Sequence, residues 1–568
     1  MKHQNTPLPD NDVILNAYPD SIGDSLQDII NFLKEPELKD VFGSFYVLPS
    51  LFNSDLDHGF SIIDYELNEL YATPEDILQL KELGLTLKLD FVINHLSVLS
   101  PQFQDILKNG GQSAFYDFFI EWNRFWTGHG FTAPEGYIEP DKELIKNMFF
   151  RKPGLPILMV RLPNGKEIPY WNTFYQEVYY EHIDAQDLVH EIGMQYASAA
   201  KLAETINTSL ADGKKPGEIP FGRFEKYSAP IIKYLESRRK YLGQMDLNTK
   251  SPKVWHFFDY VITKLAGYGA SIIRLDAFAY AAKEVGARNF FNEPDTFELL
   301  GRLKELADEH DVLLLPEIHA TYREKTHEKI AGEGYMTYDF FLPGLIIDAL
   351  ERKNSDRLVS WATELLEKKI RVVNMLGCHD GIPLLDLHGL LPQKEIDSLT
   401  GLIIGRGGII ESLYKTKKMY YQVNATYYSA LGEDDSKMLL ARAIQLFMPG
   451  KPQVWYLDLF LGKNNHKAVK KTGGSGQREI NRTRLTTADI KKGLKNKTVR
   501  KQLEMLRFRN TFPAFGFKSA LEIEASSDHE FTFCWENNGY SAKLTADLND
   551  YSFKIKATNP KGKIVFNM

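Results

Sequence analysis

Cysteine is almost absent from this chain: Cys378 and Cys534 are the only two among 568 residues. Two thiols so far apart in sequence make no disulfide framework, which excludes a stapled secreted scaffold and favours a reducing compartment. Long apolar runs are missing too. No stretch of 18 apolar residues occurs, so no membrane span and no membrane partner is expected. Met1 to Asp12 is polar and lacks an apolar h-region, so no signal peptide is expected and the location read from the sequence is cytoplasmic. Positive charge is not in excess either. The net charge is −7, and no segment gathers enough Lys and Arg to follow a phosphate backbone, which argues against a nucleic-acid partner. The basic run Lys491 to Lys501 reads as a solvated helix face.

The composition that remains is that of a globular protein, 43% hydrophobic and 25% charged, in a chain too long for one compact core. Aromatic residues reach 12%. Their faces stack on the C–H faces of sugars, although a large core explains them almost as well. Short apolar runs alternate with helical patterns. Val13 to Ala17, Phe45 to Leu48 and Leu87 to Val92 read as strands, with helices at Leu26 to Leu33 and at Pro74 to Leu83, the latter capped by Thr73. The alternation resumes with Val254 to Tyr268 (helix), Ala270 to Leu275 (strand), Pro294 to His310 (helix) and Val312 to Pro316 (strand). Such a rhythm predicts a parallel sheet with helices outside it. Gly- and Pro-punctuated excursions interrupt it after Ser97 and again from Gly381 to about residue 430, and a helical insertion is expected between Tyr179 and Tyr241. From Ala514 onward short alternating runs such as Glu530 to Trp535 predict a small β-sheet domain.

Three segments carry chemistry: Arg274-Leu275-Asp276, Pro316-Glu317-Ile318-His319 and Cys378-His379-Asp380. Each puts a carboxylate at the end of an apolar strand, and a fourth polar cluster, Asp90/Asn94/His95, ends an earlier one. In a (β/α)₈ barrel the loops after the strands converge on one face, so these groups meet there. Strand alternation sets Arg274 and Asp276 on the same side, where the guanidinium is expected to keep the aspartate ionised. Desolvation at the strand mouth is expected to raise the pKa of Glu317, as a general acid requires. Singly, each segment also fits a strand-end salt bridge, a cap or a structural His-Asp pair. Their order along the chain favours a shared site.

In that order the segments resemble the motifs of glycoside hydrolase family 13, and more narrowly of its sucrose phosphorylase subfamily. The narrower resemblance rests on longer strings: Ile273 to Lys283, Tyr338 to Pro343, His379-Asp380-Gly381-Ile382, Tyr421 to Leu431, and Ile480-Asn481-Arg482. It implies an α/β fold, a (β/α)₈ TIM barrel with inserted loop domains and a small C-terminal β domain. The corresponding boundaries are 1–97, 240–380 and 433–510 for the barrel, 98–239 for the insertion, 381–432 for a second loop insertion and 511–568 for the β domain. It implies a retaining α-glucosyl phosphorylase, which converts sucrose or a related α-glucoside and phosphate into α-glucose 1-phosphate. Asp276 would be the nucleophile, Glu317 the general acid/base and Asp380 the transition-state stabiliser, with Asp276 and Glu317 about 5–5.5 Å apart. Glucose would be held by Asp57, Phe60, His95, Arg274, His379 and Arg482. Tyr280, His319 and Gln422 would surround the second subsite, with Phe174 stacking nearby. Tyr421 and the pair Arg151/Lys152 are the candidates for phosphate. Neither metal nor organic cofactor is implied, inorganic phosphate being a co-substrate, and barrels of this kind are compatible with a homodimer.

The chain departs from the subfamily in places. Met419, in Lys415-Thr416-Lys417-Lys418-Met419-Tyr420, stands where the family carries an acid that contacts fructose. The lysines there either favour an anionic aglycone, such as a phosphorylated fructose or a glycerate, or form a solvated loop tip. Gly377-Cys378 replaces the usual Asp-Thr. The acceptor therefore stays open between fructose, fructose 6-phosphate, glycerate and glycerol. A family 13 hydrolase or transglucosidase, and more distantly an inactive sugar-binding protein, are the rival readings.

Overall fold

The computed structural model describes residues 12–412, 420–472 and 476–568. Eight strands form one parallel sheet: β1 (Ile14–Ala17), β2 (Ser44–Val47), β3 (Thr86–Val92), β4 (Ala270–Asp276), β5 (Leu313–Pro316), β6 (Thr337–Asp339), β7 (Val372–Met375) and β8 (Lys451–Trp455). Their hydrogen-bonded order is β5-β4-β3-β2-β1-β8-β7-β6. Every neighbouring pair is parallel. This is the cyclic order of a (β/α)₈ barrel, with β5 and β6 approaching at the seam without a ladder. The fold expected from the strand–helix alternation is thus the one observed.

The elements follow from elementary patterning. Parallel strands are covered on both faces, so they read as continuous apolar runs rather than alternating ones. Along β4 only Ser271 is half-exposed, and every other residue is buried. The first two barrel helices are Leu26–Leu33 and Pro74–Glu82. The first buries Leu26, Ile29, Ile30 and Phe32, a stripe at helical spacing. The second has proline in its first turn and a capping box: the Thr73 hydroxyl accepts from the Asp76 amide while Asp76 accepts from the Thr73 amide at 2.7 Å. Helices Pro252–Tyr268 and Asp295–Asp308 precede β4 and β5. Barrel interiors are usually filled by branched apolar side chains. Here the fully buried residues of β3 include Lys88 and Asp90, and Arg274 on β4 is 2% exposed.

After β3 the chain leaves the barrel, and residues 95–251 form a compact unit separate from 1–94 plus 252–568. Strands His95–Ser97, Gln176–Tyr180 and Arg239–Asp246 make its three-stranded antiparallel sheet. Because Arg239–Asp246 pairs within this sheet, residues 240–251 lie with the insertion and not with the barrel segment that the sequence reading starts at 240. The helices expected between Tyr179 and Tyr241 are Ala185–Ile192, Tyr196–Ala211 and Ser228–Ser237, closed around Leu188, Leu202, Ile206, Ile231 and Leu235.

The excursion after Gly381 contains helix Gln393–Gly405 and a small antiparallel sheet of Ile382–Pro383, Ile409–Ser412 and Tyr420–Asn424. The C-terminal strands, from Ala520 to Asn567, form a five-stranded antiparallel meander. Its second strand, Glu530–Asn537, buries Phe531, Phe533 and Trp535, and the Trp535 indole donates to the Phe447 carbonyl at 2.8 Å. Truncating the fully buried Ile206 to alanine should destabilise the insertion by about 2–5 kcal/mol. Hydrogen exchange should then rise within 183–235 and stay unchanged in β1–β8.

Candidate active site

The ends of β3, β4 and β5 meet at one guanidinium. Asp90, Arg274 and Asp276 point inward on neighbouring strands, since β3 and β4 are in register with Arg274 opposite Asp90. Arg274 Nη1 lies 2.5 Å from Asp90 Oδ1 and 2.9 Å from Asp276 Oδ1, and Nη2 lies 2.5 Å from Glu317 Oε1. The Tyr46 hydroxyl on β2 donates to Asp90 at 2.8 Å. Just past Asp276 the backbone turns through the left-handed region at Ala277 (φ 54°), and the Ala277 amide points at Glu317 Oε2, 3.4 Å away. A non-glycine residue in that region is held there by its surroundings. His319 Nε2 lies 3.6 Å from Glu317 Oε1, its Nδ1 lies 3.3 Å from Asp386, and its ring stacks on Phe340 at 3.7 Å. Nearby, Tyr280 packs edge-on against Phe290, 5.0 Å away.

The loop after β7 brings the third carboxylate. His379 Nε2 lies 3.2 Å from Asp380 Oδ2, and the His379 ring stacks on Phe60 at 4.9 Å. Arg482 Nε donates to the His379 carbonyl at 3.0 Å and its Nη1 lies 3.5 Å from Asp57. The Gln422 amide donates to the Asp380 carbonyl at 2.5 Å. Asp57 and His58 both adopt left-handed backbone (φ 48° and 50°), followed by Gly59 at φ 117°. A Cβ on Gly59 would sit 2.1 Å from the Ser50 amide nitrogen, so only glycine fits the turn that presents Asp57 and Phe60.

Four expected residues belong to the insertion and cluster there. Phe174 lies 5.0 Å from the His95 ring, and the Arg151 guanidinium covers its face at 5.1 Å. Lys152 Nζ lies 3.2 Å from Asn172 Oδ1, and burial, opposed by Asp246, pushes its amine down to about 8. Met419 and the lysines before it lie outside the described residues. Tyr421 lies on strand Tyr420–Asn424, and its side chain also lies outside them.

Arg478 belongs to the site without having been expected there from the sequence. Its Nη1 lies 2.9 Å from Asp380 Oδ1 and 3.2 Å from Asp57 Oδ2, so one cation joins a loop after β2 to one after β7. The available clue was the spacing Arg478-Glu479-Ile480-Asn481-Arg482, one helical turn that puts both arginines on one side. Asp90 carried no assigned role, yet it is the innermost partner of Arg274.

No protein-family model matches the chain. Among curated proteins it is 48% identical over 554 residues to a sucrose 6(F)-phosphate phosphorylase of Ilumatobacter coccineus, covering 96% of this chain and 95% of that one. It is 32% identical to the enzyme of that name from Thermoanaerobacterium thermosaccharolyticum, covering 98% of each. A crystal structure of sucrose 6F-phosphate phosphorylase from Thermoanaerobacter thermosaccharolyticum superposes with a TM-score of 0.80 at 31% identity, over 99% of this chain and 98% of that one. The chain belongs to the sucrose phosphorylase subfamily of glycoside hydrolase family 13.

Ionisation in this sucrose phosphorylase-type barrel differs from the expectation. Burial drives the Asp276 carboxyl well above its ordinary value, and although Arg274 opposes this, the charges of Glu317, Asp90 and Asp380 add to it. Burial also acts to raise Glu317, but Arg274 and His319 outweigh it and hold that carboxyl down at about 2. The expected order of the two is therefore reversed. The reason is geometric: Asp276 shares Nη1 with Asp90, whereas Glu317 has Nη2 and a histidine. Burial opposes ionisation of Asp380, yet His379 and the guanidiniums of Arg478, Arg482 and Arg274 keep it far below the carboxylate range. Burial pushes His379 itself down to about 3, so its charge acts on Asp380 only in acid, and at neutral pH the arginines alone supply the positive charge. Ligand atoms of Glu317, His319 and Asp380 lie within 4.8 Å of one another, but Arg274 and Arg478 already occupy the two carboxylates, and their charge opposes a metal cation.

Burial lowers His319, but Asp386 and Glu317 more than reverse this and raise it from 6.5 to about 10. A raised folded-state value stabilises the protein fully below the unfolded value, and that contribution fades as pH climbs towards the folded value. His319→Gln should therefore lower the thermal midpoint more at pH 6 than at pH 10. An equal loss at both pH values would contradict the charged imidazole.

Proposed function

We propose that this chain is a retaining α-glucosyl phosphorylase whose donor is sucrose 6F-phosphate. The observation that carries the reading is the set of three barrel-end carboxylates around Arg274 and Arg478, in a chain 48% identical almost end to end to a protein of that activity. In the first step an Asp276 carboxylate oxygen attacks the anomeric carbon, the bond to the fructosyl oxygen breaks, and Glu317 gives its proton to that oxygen. In the second step a phosphate oxygen attacks the same carbon from the other side. Its proton goes to Glu317, and Asp276 leaves. Two inversions give net retention and α-glucose 1-phosphate. Asp380, held ionised, offsets the positive charge that develops at the anomeric carbon.

This chemistry needs Asp276 ionised and Glu317 protonated, the reverse of the directions in which their surroundings push them. Both contact the same guanidinium, so the balance of its two nitrogens between Asp276 and Glu317 governs which carboxyl holds the proton. We assign the glucosyl group to Asp57, Phe60, His95, Arg274, His379 and Arg482, adding Arg478. Tyr280, His319 and Gln422 are assigned to the fructosyl side with Phe174, and Tyr421, Arg151 and Lys152 to phosphate groups. The assignment of Lys152 rests on an ammonium that burial has already stripped of solvation, whose charged form a phosphate would stabilise. Two free thiols and a phosphorylated donor fit a cytoplasmic location.

Incubation with sucrose 6F-phosphate and inorganic phosphate should yield glucose 1-phosphate, faster than sucrose does. Free glucose released at equal rates with and without phosphate would refute phosphorolysis. Glu317→Gln should lower kcat for the phosphorylated donor by about 10²–10⁴-fold. The same variant should keep near-normal formation of the glucosyl-enzyme from α-glucosyl fluoride, whose leaving group needs no proton.

A further inference from the structure

Inside the barrel, Lys88 on β3 is fully buried and meets side chains from three other strands, β2, β6 and β8. Its ammonium donates to the Tyr338 hydroxyl at 2.8 Å and to Gln453 Oε1 at 2.5 Å, and it sits over the Tyr46 ring, 4.0 Å from the centroid. Those two tyrosines lead to the site by separate routes. The Tyr46 hydroxyl donates to both Asp90 oxygens, at 2.9 and 2.8 Å, and Asp90 holds Arg274. Tyr338 stacks on Phe340 at 5.2 Å, Phe340 stacks on His319, and His319 meets Glu317. Both routes end at the same carboxyl group, since Arg274 Nη2 also contacts Glu317.

We propose that Lys88 is a positioning residue for proton transfer by Glu317: it ties Tyr46 and Tyr338 together beneath the site and so fixes Arg274 and His319, the two groups that grip that glutamate. The inference rests on the role given to Glu317 above. A branched apolar residue at this layer would pack without the desolvation that a lysine suffers. The charged and titratable groups facing the amine are Tyr46, Asp90, Arg274, Glu317, Tyr338 and, on β8, Lys451. Burial, with the repulsion of Arg274, pushes the amine well below its ordinary value, which Asp90 only partly opposes.

The test compares two donors in Lys88→Met and Lys88→Gln. Because small misplacements of a reacting group cost up to about 10²-fold, Lys88→Met should lower kcat for sucrose 6F-phosphate by at least about tenfold with KM nearly unchanged. Formation of the glucosyl-enzyme from α-glucosyl fluoride, which needs no proton from Glu317, should stay close to the wild-type rate. Lys88→Gln, whose amide still donates to Tyr338, should recover much of kcat, and it carries the test if the methionine variant does not fold. Equal slowing of both donors, or an unchanged kcat, overturns the proposal. A wild-type protein that makes no glucose 1-phosphate would instead overturn the functional reading.

Discussion

One guanidinium organises this site. Arg274 is buried at the end of β4 and serves Asp90, Asp276 and Glu317 from three consecutive strands. Unit charges 4 Å apart interact with about 4 kcal/mol at an effective dielectric near 20, so three carboxylates gathered without a cation would repel one another strongly. Removing one partner from a buried charged set leaves an uncompensated charge and costs about 3–5 kcal/mol. The barrel can hold its catalytic carboxylates close together only because Arg274 stands between them. The register of β3 on β4, with Arg274 opposite Asp90, puts it there.

The other half of the site depends on loops rather than strands. Asp57 is presented by consecutive residues in left-handed backbone, and Arg478 and Arg482 come from a single turn of helix near residue 480. These groups are joined by charge: Arg478 holds Asp57 and Asp380, and Arg482 holds Asp57 and the backbone of His379. Strand ends and ion-paired loops thus contribute different parts of one arrangement. The first sets where the carboxylates are, and the second keeps Asp380 ionised.

Much of this was legible in the residues. The runs Leu87 to Val92, Ala270 to Leu275 and Val312 to Pro316 are mostly apolar, as a strand covered on both faces requires, and the last two lead directly into a carboxylate. Thr73 with Asp76 marks a helix start by a local hydrogen-bonding rule. The boundary of the insertion was less legible, because Arg239–Asp246 looks like any strand until its partners, Gln176–Tyr180 and His95–Ser97, are known. Arg478 was missed for a similar reason: its carboxylate partners lie about 100 and 420 residues away in sequence.

By itself, then, the sequence determined the alternation of strands and helices, the order of the strand-end carboxylates and the family they resemble. These depend on local patterning, which is written residue by residue. Only the tertiary structure decided how charge is distributed among those carboxylates. Asp276 must share one nitrogen of Arg274 with Asp90, while Glu317 has the other nitrogen and His319. Ionisation in a buried cluster depends on distances between groups far apart in the chain and on the water excluded around them, and neither quantity exists until the barrel closes.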